Sequence, residues 1–318
     1  ESLPYFLWNA QYGIKHAAQR HTTGECDSPL PMRWFRCHWH FGGNTEMGRL
    51  HRKIFYFYDM PTYTDQLQRT LHFPHPPQRI ISLVPSQTEL LHHWGLGDRV
   101  VGLTRFCIHP KAWHQSNTRI GGTKTVKMDR VAALHPDLII GNKEENTQGD
   151  IEALMDHYPV WMSDIYTLDD ALDMMERLGA VLGVSPQAAA LVAQLRHDFA
   201  ALPVLPVRRV AYLIWRRPWM VAAADTFIDD LLQRAGWQNA FGDQRRYPVV
   251  TEGSLRAVQP EVLLLSSEPY AFKAKHIAEL QAICPNANIV LVDGELFSWY
   301  GSRLLGTAGY IREVGGML

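Results

Sequence analysis

From residue 79 to its end the chain repeats one phrase: a short apolar run, a loop, and a stretch with helical spacing. The first set has predicted strands at 79–83, 99–103, 137–140 and 159–162, with helices between them at 128–134 and 151–158. Alternation in that order argues for a parallel sheet with helices on both faces. A second set starts after Pro206, with strands at 209–214, 261–265 and 288–292 and helices at 227–235, 273–283 and 302–314. The halves share this grammar without a residue-level repeat. The fold class that follows is α/β: two Rossmann-like lobes, each built on a parallel sheet.

Between the sets lies one conspicuous helix. Ser185 is placed to cap it and Pro186 suits the first helical position, where a missing N–H costs nothing. Ala188, Val192, Leu195, Phe199 and Leu202 recur at spacings of four and three, giving one apolar stripe. Pro203 and Pro206 cannot continue it. At about 1.5 Å per residue such a rod is about 25 Å long, enough to join two lobes rigidly. The predicted organisation is an irregular extension at 1–59, a first lobe at 60–184, a spine at 185–203 and a second lobe at 204–318.

Residues 1–59 show no sustained period, and only 54–58 could form a short strand. Met60 could be the natural start. Cys37, His38 and His40, with Cys26 upstream, are the one metal-like cluster, but the second ligand pair of a zinc site is not evident, so an irregular segment is preferred. No secretory leader is legible, and export would rest on one outside this sequence; a cytoplasmic location is the alternative. A formal net charge of -1 gives no broad attraction to nucleic acid or anionic membrane. No apolar run approaches the roughly 18 residues of a membrane span.

Details of the first lobe carry the functional reading. The strand at 79–83 runs through Val84-Pro85 into a helix whose Ser86 and Glu89 have capping-box spacing, closing near Trp94 with Gly95 suited to the left-handed conformation. This stretch, PQRIISLVPSQTE at 77–89, is followed by GLGDRVVG at 95–102, LHPDLII at 134–140 and VQPEVL at 258–263. In that order they resemble the helical-backbone metal-receptor family of substrate-binding proteins, the class III periplasmic binding proteins. The resemblance covers 60–318. RFCIHP at 105–110, NKEEN at 142–146, SSEPY at 266–270 and FSWYGS at 297–302 resemble its cobalamin-binding-like subgroup.

The resemblance implies the substrate-binding component of an ABC importer, not an enzyme, with no catalytic cofactor. Its cargo would be a cobalamin-like corrinoid or another metal chelate, its partner a transmembrane permease, its location periplasmic and its state monomeric. A ferric-siderophore or haem binder of the same fold is one alternative; an intracellular corrinoid-handling enzyme or sensor is another. No GxSxG, HExxH or phosphate-cradling loop supports catalysis.

Ligands of open α/β sheets sit beyond the carboxyl ends of the strands. That rule selects Ser86, Gln87, Phe106, Cys107, Lys143, Glu144, Glu145 and Asn146 in the first lobe. In the second it selects Trp215, Trp219, Tyr270, Trp299 and Tyr300, with Phe272 nearby. Flat side chains with a polar edge suit a large planar ligand, although such residues also roof cores. Cys107 reads more readily as a small buried apolar residue than as a ligand or nucleophile, and His109 is a candidate metal ligand or a surface histidine. Family members meet permease arginines with one acid per lobe. The matching positions here are Asp129 and Glu252, the latter one place away from the family's acid, where Gly253 stands.

Overall fold

The structure is a computed structural model that describes residues 61–318, which belong to one unit. The irregular segment, its 54–58 strand, the Cys26, Cys37, His38 and His40 cluster and the start at Met60 lie outside the described residues.

The first lobe opens on a hairpin, β1 (Thr62–Thr64) and β2 (Thr70–His72). Then come β3 (Ile80–Ser82), α1 (Pro85–His93), β4 (Val100–Leu103), α2 (Lys111–Ser116), β5 (Thr118–Arg119), β6 (Gly121–Gly122), β7 (Thr125–Val126) and α3 (Met128–Leu134). β8 (Leu138–Asn142), α4 (Gln148–Met155) and β9 (Val160–Ser163) complete it. Its sheet runs β5-β4-β3-β8-β9, parallel throughout. Every residue of β3, β8 and β9 is buried, as strands covered on both faces must be. The chain leaves β3 to one side and returns on the other, so the loops after β3 and β8 part at the sheet edge and open a crevice.

α5 (Leu168–Val181) and α6 (Ser185–Ala200) lead to the second lobe. There β10 (Arg209–Trp215), β11 (Trp219–Ala222), α7 (Phe227–Arg234), β12 (Gln238–Asn239), β13 (Val249–Val250) and α8 (Glu252–Ala257) are followed by β14 (Val262–Ser266), α9 (Lys275–Ile283), β15 (Asn288–Val292), α10 (Glu295–Ser298) and α11 (Leu304–Met317). Strands β12, β10, β14 and β15 pair in parallel. The three expected strands are thus parallel to one another, and β11 and β13 add an edge with antiparallel pairing. Only residues 216–218 join β10 to β11, with Arg217 at φ 64°, and so short a link can only reverse the strand.

The spine also differs from its prediction, because α6 shares it with α5. Thr167 and Asp170 form the capping box that starts α5, and eight of its residues are buried. Gly183, at φ 70°, turns the chain between the two helices. They pack so closely that a Cβ on Gly179 would lie 2.4 Å from that of Ala188. α5 touches both lobes: the Leu168 N–H donates to Asp230 of α7 at 2.8 Å, while Gln66 reaches Asp173 at 3.1 Å and Arg99 donates to the Leu182 carbonyl at 2.7 Å. On α6 the stripe Ala188, Val192, Leu195 and Phe199 is buried as its spacing implies, each fully buried Leu or Phe contributing about 1.5–3 kcal/mol. Val184, not Ser185, is the N-cap residue, and Ser185 begins the helix with Pro186 second.

Two further local readings change. Ser86 and Glu89 form no capping box: Pro85 takes the first helical position, so Ser86 falls inside the first turn. Glu89 turns instead to Arg303. Gly95 does take the left-handed conformation, at φ 74°. The hairpin is fixed by Asp65, whose carboxylate has no solvent exposure. It accepts the N–H groups of Leu67 and Arg69 at 2.9 Å and of Met162 at 3.2 Å, and it pairs with the Arg69 guanidinium. Arg69 also donates to the Val160 carbonyl at 2.9 Å, tying the hairpin to β9.

Candidate functional site

Loops beyond the carboxyl ends of strands in both sheets meet around one cavity of about 290 Å³. The first lobe contributes Pro85 after β3, Phe106 and Ile108 after β4, Thr123 between β6 and β7, Glu144 and Glu145 after β8, and Ile165 after β9. From the second come Ile214 at the end of β10, Phe227 and Ile228 of α7, Tyr247, then Glu268 and Pro269 after β14, and Ser298, Trp299 and Tyr300 around the end of α10. The wall is aromatic and aliphatic, with carboxyl and hydroxyl groups set into it.

Sequence dictates how the glutamates reach the wall. The Asn142 side-chain oxygen accepts the N–H groups of Glu144 at 2.8 Å and Glu145 at 3.1 Å, the self-bonding turn that asparagine favours. Asn146 closes the loop by accepting the Asn142 N–H at 2.8 Å and donating to the Thr123 carbonyl at 2.9 Å. Held at both ends, the loop projects Glu144 and Glu145. Glu144 meets Arg246 of the second lobe at 2.6 Å, and that guanidinium lies over the ring of Tyr166 at 5.0 Å.

Trp299 stands at the junction. Its indole N–H donates to Glu268 at 2.9 Å, and Ser298 donates to the same oxygen at 2.5 Å. The Arg303 guanidinium covers one face at 5.1 Å and the His109 ring meets it edge-on at 5.6 Å. Arg303 forms a two-toothed pair with Glu89 of α1 at 2.7 and 2.9 Å, and contacts Glu295 at 3.1 Å. Ion pairs that pin the lobes include Glu144–Arg246 and Glu89–Arg303 beside the cavity and Asp169–Arg234 at the start of α5.

Burial is the dominant electrostatic influence. It pushes the Glu145 carboxyl up to about 7, with Glu144 and Glu268 adding to the effect and Lys124 opposing it. Burial raises Glu268 as well, and lifts the Tyr247 and Tyr300 hydroxyls well above the usual phenol range. A carboxyl raised in the fold favours the folded state while protonated. The sign follows: stability falls as pH climbs from 4.5 to about 7. Glu145→Gln is therefore expected to be more stable than the parent at pH 8 by up to about 3 kcal/mol, and equal to it at pH 4. Chemical denaturation at both pH values reads the difference; the same gain at both would defeat the explanation.

Of the residues selected from sequence, Phe106, Glu144, Glu145, Trp299 and Tyr300 line the cavity. Ser86 is buried in α1, its carbonyl against Gly301. Gln87 is buried and donates to Ser163 at 2.6 Å. The Cys107 thiol is buried between Thr88 and Thr104, at 3.1 and 3.2 Å, and burial pushes it up, as its apolar reading implies. Lys143 pairs with Asp164 at 2.6 Å, and Asn146 serves its loop.

Trp215, Trp219 and Tyr270 do not reach the cavity wall. With Phe272 and His276 they form a separate cluster on the second lobe: Trp219 stacks on Phe272 at 6.4 Å, Trp215 meets Tyr270 at 5.7 Å, and Tyr270 bonds His276 at 3.1 Å. For Trp215 alternation explains this, since adjacent strand residues point to opposite faces and its neighbour Ile214 takes the cavity side. His109 pairs with Glu295 at 3.4 Å, and among the described residues no group of three or more His, Cys, Asp or Glu is placed to hold a metal ion. Asp129 and Glu252 are exposed in the first turns of α3 and α8, one on each lobe. Tyr247, Glu268 and Phe227 also line the cavity and carry little signal in the sequence: Tyr247 lies in aperiodic chain, Glu268 lies inside SSEPY beside the more conspicuous Tyr270, and Phe227 opens a helix.

Two α/β lobes on a helical spine, with loops from both closing on an aromatic cavity, define a solute-binding protein of the class III type. A family model described as periplasmic binding protein matches residues 80–282, and the chain belongs to that family. The vitamin B12-binding protein of Pectobacterium carotovorum subsp. carotovorum (strain PC1) is 25% identical over 242 residues, covering 72% of this chain and 85% of that protein. The crystal structure of the periplasmic vitamin B12 binding protein BtuF of Vibrio cholerae matches with a TM-score of 0.64 at 24% identity, over 76% of this chain and 98% of that one. The periplasmic heme-binding protein RhuT from Roseiflexus sp. RS-1 matches with a TM-score of 0.65 at 20% identity, over 75% and 96%. Among the described residues no helix is long and apolar enough to cross a membrane.

Proposed function

We propose that this chain is the periplasmic substrate-binding component of an ABC importer and that it captures a corrinoid in the interlobe cavity. The observation that carries the reading is the wall itself, where Phe106 from one lobe and Trp299 and Tyr300 from the other share a cavity with carboxyl groups. Broad aromatic faces match a macrocycle, and carboxyl oxygens accept hydrogen bonds from the carboxamides at a corrin's edge. With about 290 Å³ enclosed, the cavity takes one edge of such a ring and leaves the rest in the mouth. The ion pairs at the rim and the doubled spine favour slight rocking over wide closure. Asp129 and Glu252, one acid per lobe, would meet cationic side chains of a permease.

Haem is the second reading, because Tyr247 and Tyr300 line the cavity and tyrosine can hold haem iron. Burial keeps both phenols protonated, which weakens that reading. Titration calorimetry with cyanocobalamin, haem and a ferric hydroxamate decides between them. Cyanocobalamin is expected to bind one to one with a Kd below about 1 μM and no turnover. Retention of none of the three would end the carrier reading; tighter haem would replace its cargo.

A further inference from the structure

We infer that the cavity sorts cargo by the charge at the ligand's edge: Glu145 and Glu268, one from each lobe, admit a macrocycle edged with carboxamides or hydroxyls and reject one edged with carboxylates. This rests on the macrocycle-carrier reading and specifies its substrate class.

The cavity wall carries three glutamates and, among the described residues, no lysine, arginine or histidine. Arg105 lies over the Phe106 ring at 4.8 Å without lining the wall, and the other nearby cations have acidic neighbours. Arg246 neutralises Glu144 at 2.6 Å, Lys143 pairs with Asp164 at 2.6 Å, and Arg303 is divided between Glu89 and Glu295. Lys124 is the cation that acts on Glu145, and burial plus the neighbouring carboxyls outweigh it. The carboxyl of Glu268 and the backbone of Glu145 are both fixed. The Asn142 turn holds the backbone of Glu145, while Ser298 and Trp299 hold Glu268. An amide edge gives such oxygens N–H donors. A carboxylate edge would instead place like charges together where little water screens them.

Two corrinoids of the same ring, metal and axial cyanides isolate this effect: dicyanocobinamide, with a carboxamide edge, and dicyanocobyrinic acid, with a carboxylate edge. At about pH 8.5, where Glu145 is ionised, and at low salt the protein is expected to hold the amide form about 30-fold more tightly. Glu145→Gln and Glu268→Gln should each narrow that ratio about fivefold, with the fold checked by circular dichroism. Raising salt from about 0.02 to 0.5 M should also shrink the ratio in the unaltered protein, a readout that needs no variant. Equal affinity for the two forms, or a ratio unmoved by both substitutions and by salt, overturns the inference. If neither corrinoid binds, the corrinoid reading falls, and haem against its dimethyl ester tests the charge rule alone, with the ester expected to bind more tightly. If that pair also fails to bind, both proposals fall together.

Discussion

Trp299→Ala is expected to weaken ligand capture by at least about 30-fold, roughly 2–3 kcal/mol. The indole lines the cavity and is itself anchored on several sides: by Glu268 at its N–H, by the Arg303 guanidinium over one face and by the edge of His109. A side chain so braced meets its ligand without a further loss of rotamer freedom, and that makes truncation costly. Trp299→Phe keeps much of the flat area and gives up the N–H, so a loss of about fivefold is expected. Calorimetry on both variants, with circular dichroism to confirm folding, measures the effect. An alanine variant within about threefold of the parent would remove Trp299 from the binding surface.

Asp65→Ala should lose about 3–5 kcal/mol of stability, the largest effect expected of a single substitution outside the cavity. The carboxylate has no solvent exposure and accepts three backbone N–H groups besides the Arg69 guanidinium. Alanine would leave those donors, and a cation that also reaches β9, without their acceptor. Urea denaturation read by tryptophan fluorescence tests this. A change below about 1 kcal/mol would mean that the hairpin is an ornament on the lobe and not part of it.

The two parallel cores were legible because their strands are apolar throughout and alternate with helices in the order a doubly wound sheet requires. β3, β8, β10, β14 and β15 all fall within a residue or two of their expected places. What escaped had weaker local signals. α5 carries both a capping box and a buried stripe, yet it stands beside α6, whose prolines and regular spacing drew the reading. The antiparallel edge of the second sheet hangs on a three-residue reversal at Arg217 that no period announces. In the cavity, residues in loops after strands were legible through the topology rule alone. That rule selects a sheet edge, not a direction for each side chain, and so it gathered Trp215, Trp219 and Tyr270 with Trp299 and Tyr300. Ion pairs between the lobes join residues far apart in the chain, Glu144 with Arg246 by 102 positions and Glu89 with Arg303 by 214, and leave no trace in the sequence.

Consider finally what it means that α5 is fastened along its whole length, to Asp230 near its start, to Gln66 in its first half and to Arg99 just past its end. A receptor strung on a slack tether must organise itself around each guest, and part of every encounter is lost to that ordering. Here the bolster between the halves is rigid beforehand. The free energy of an encounter is then left for gripping the guest, and release has to come from prising apart the Glu89–Arg303 and Glu144–Arg246 clasps at the lips.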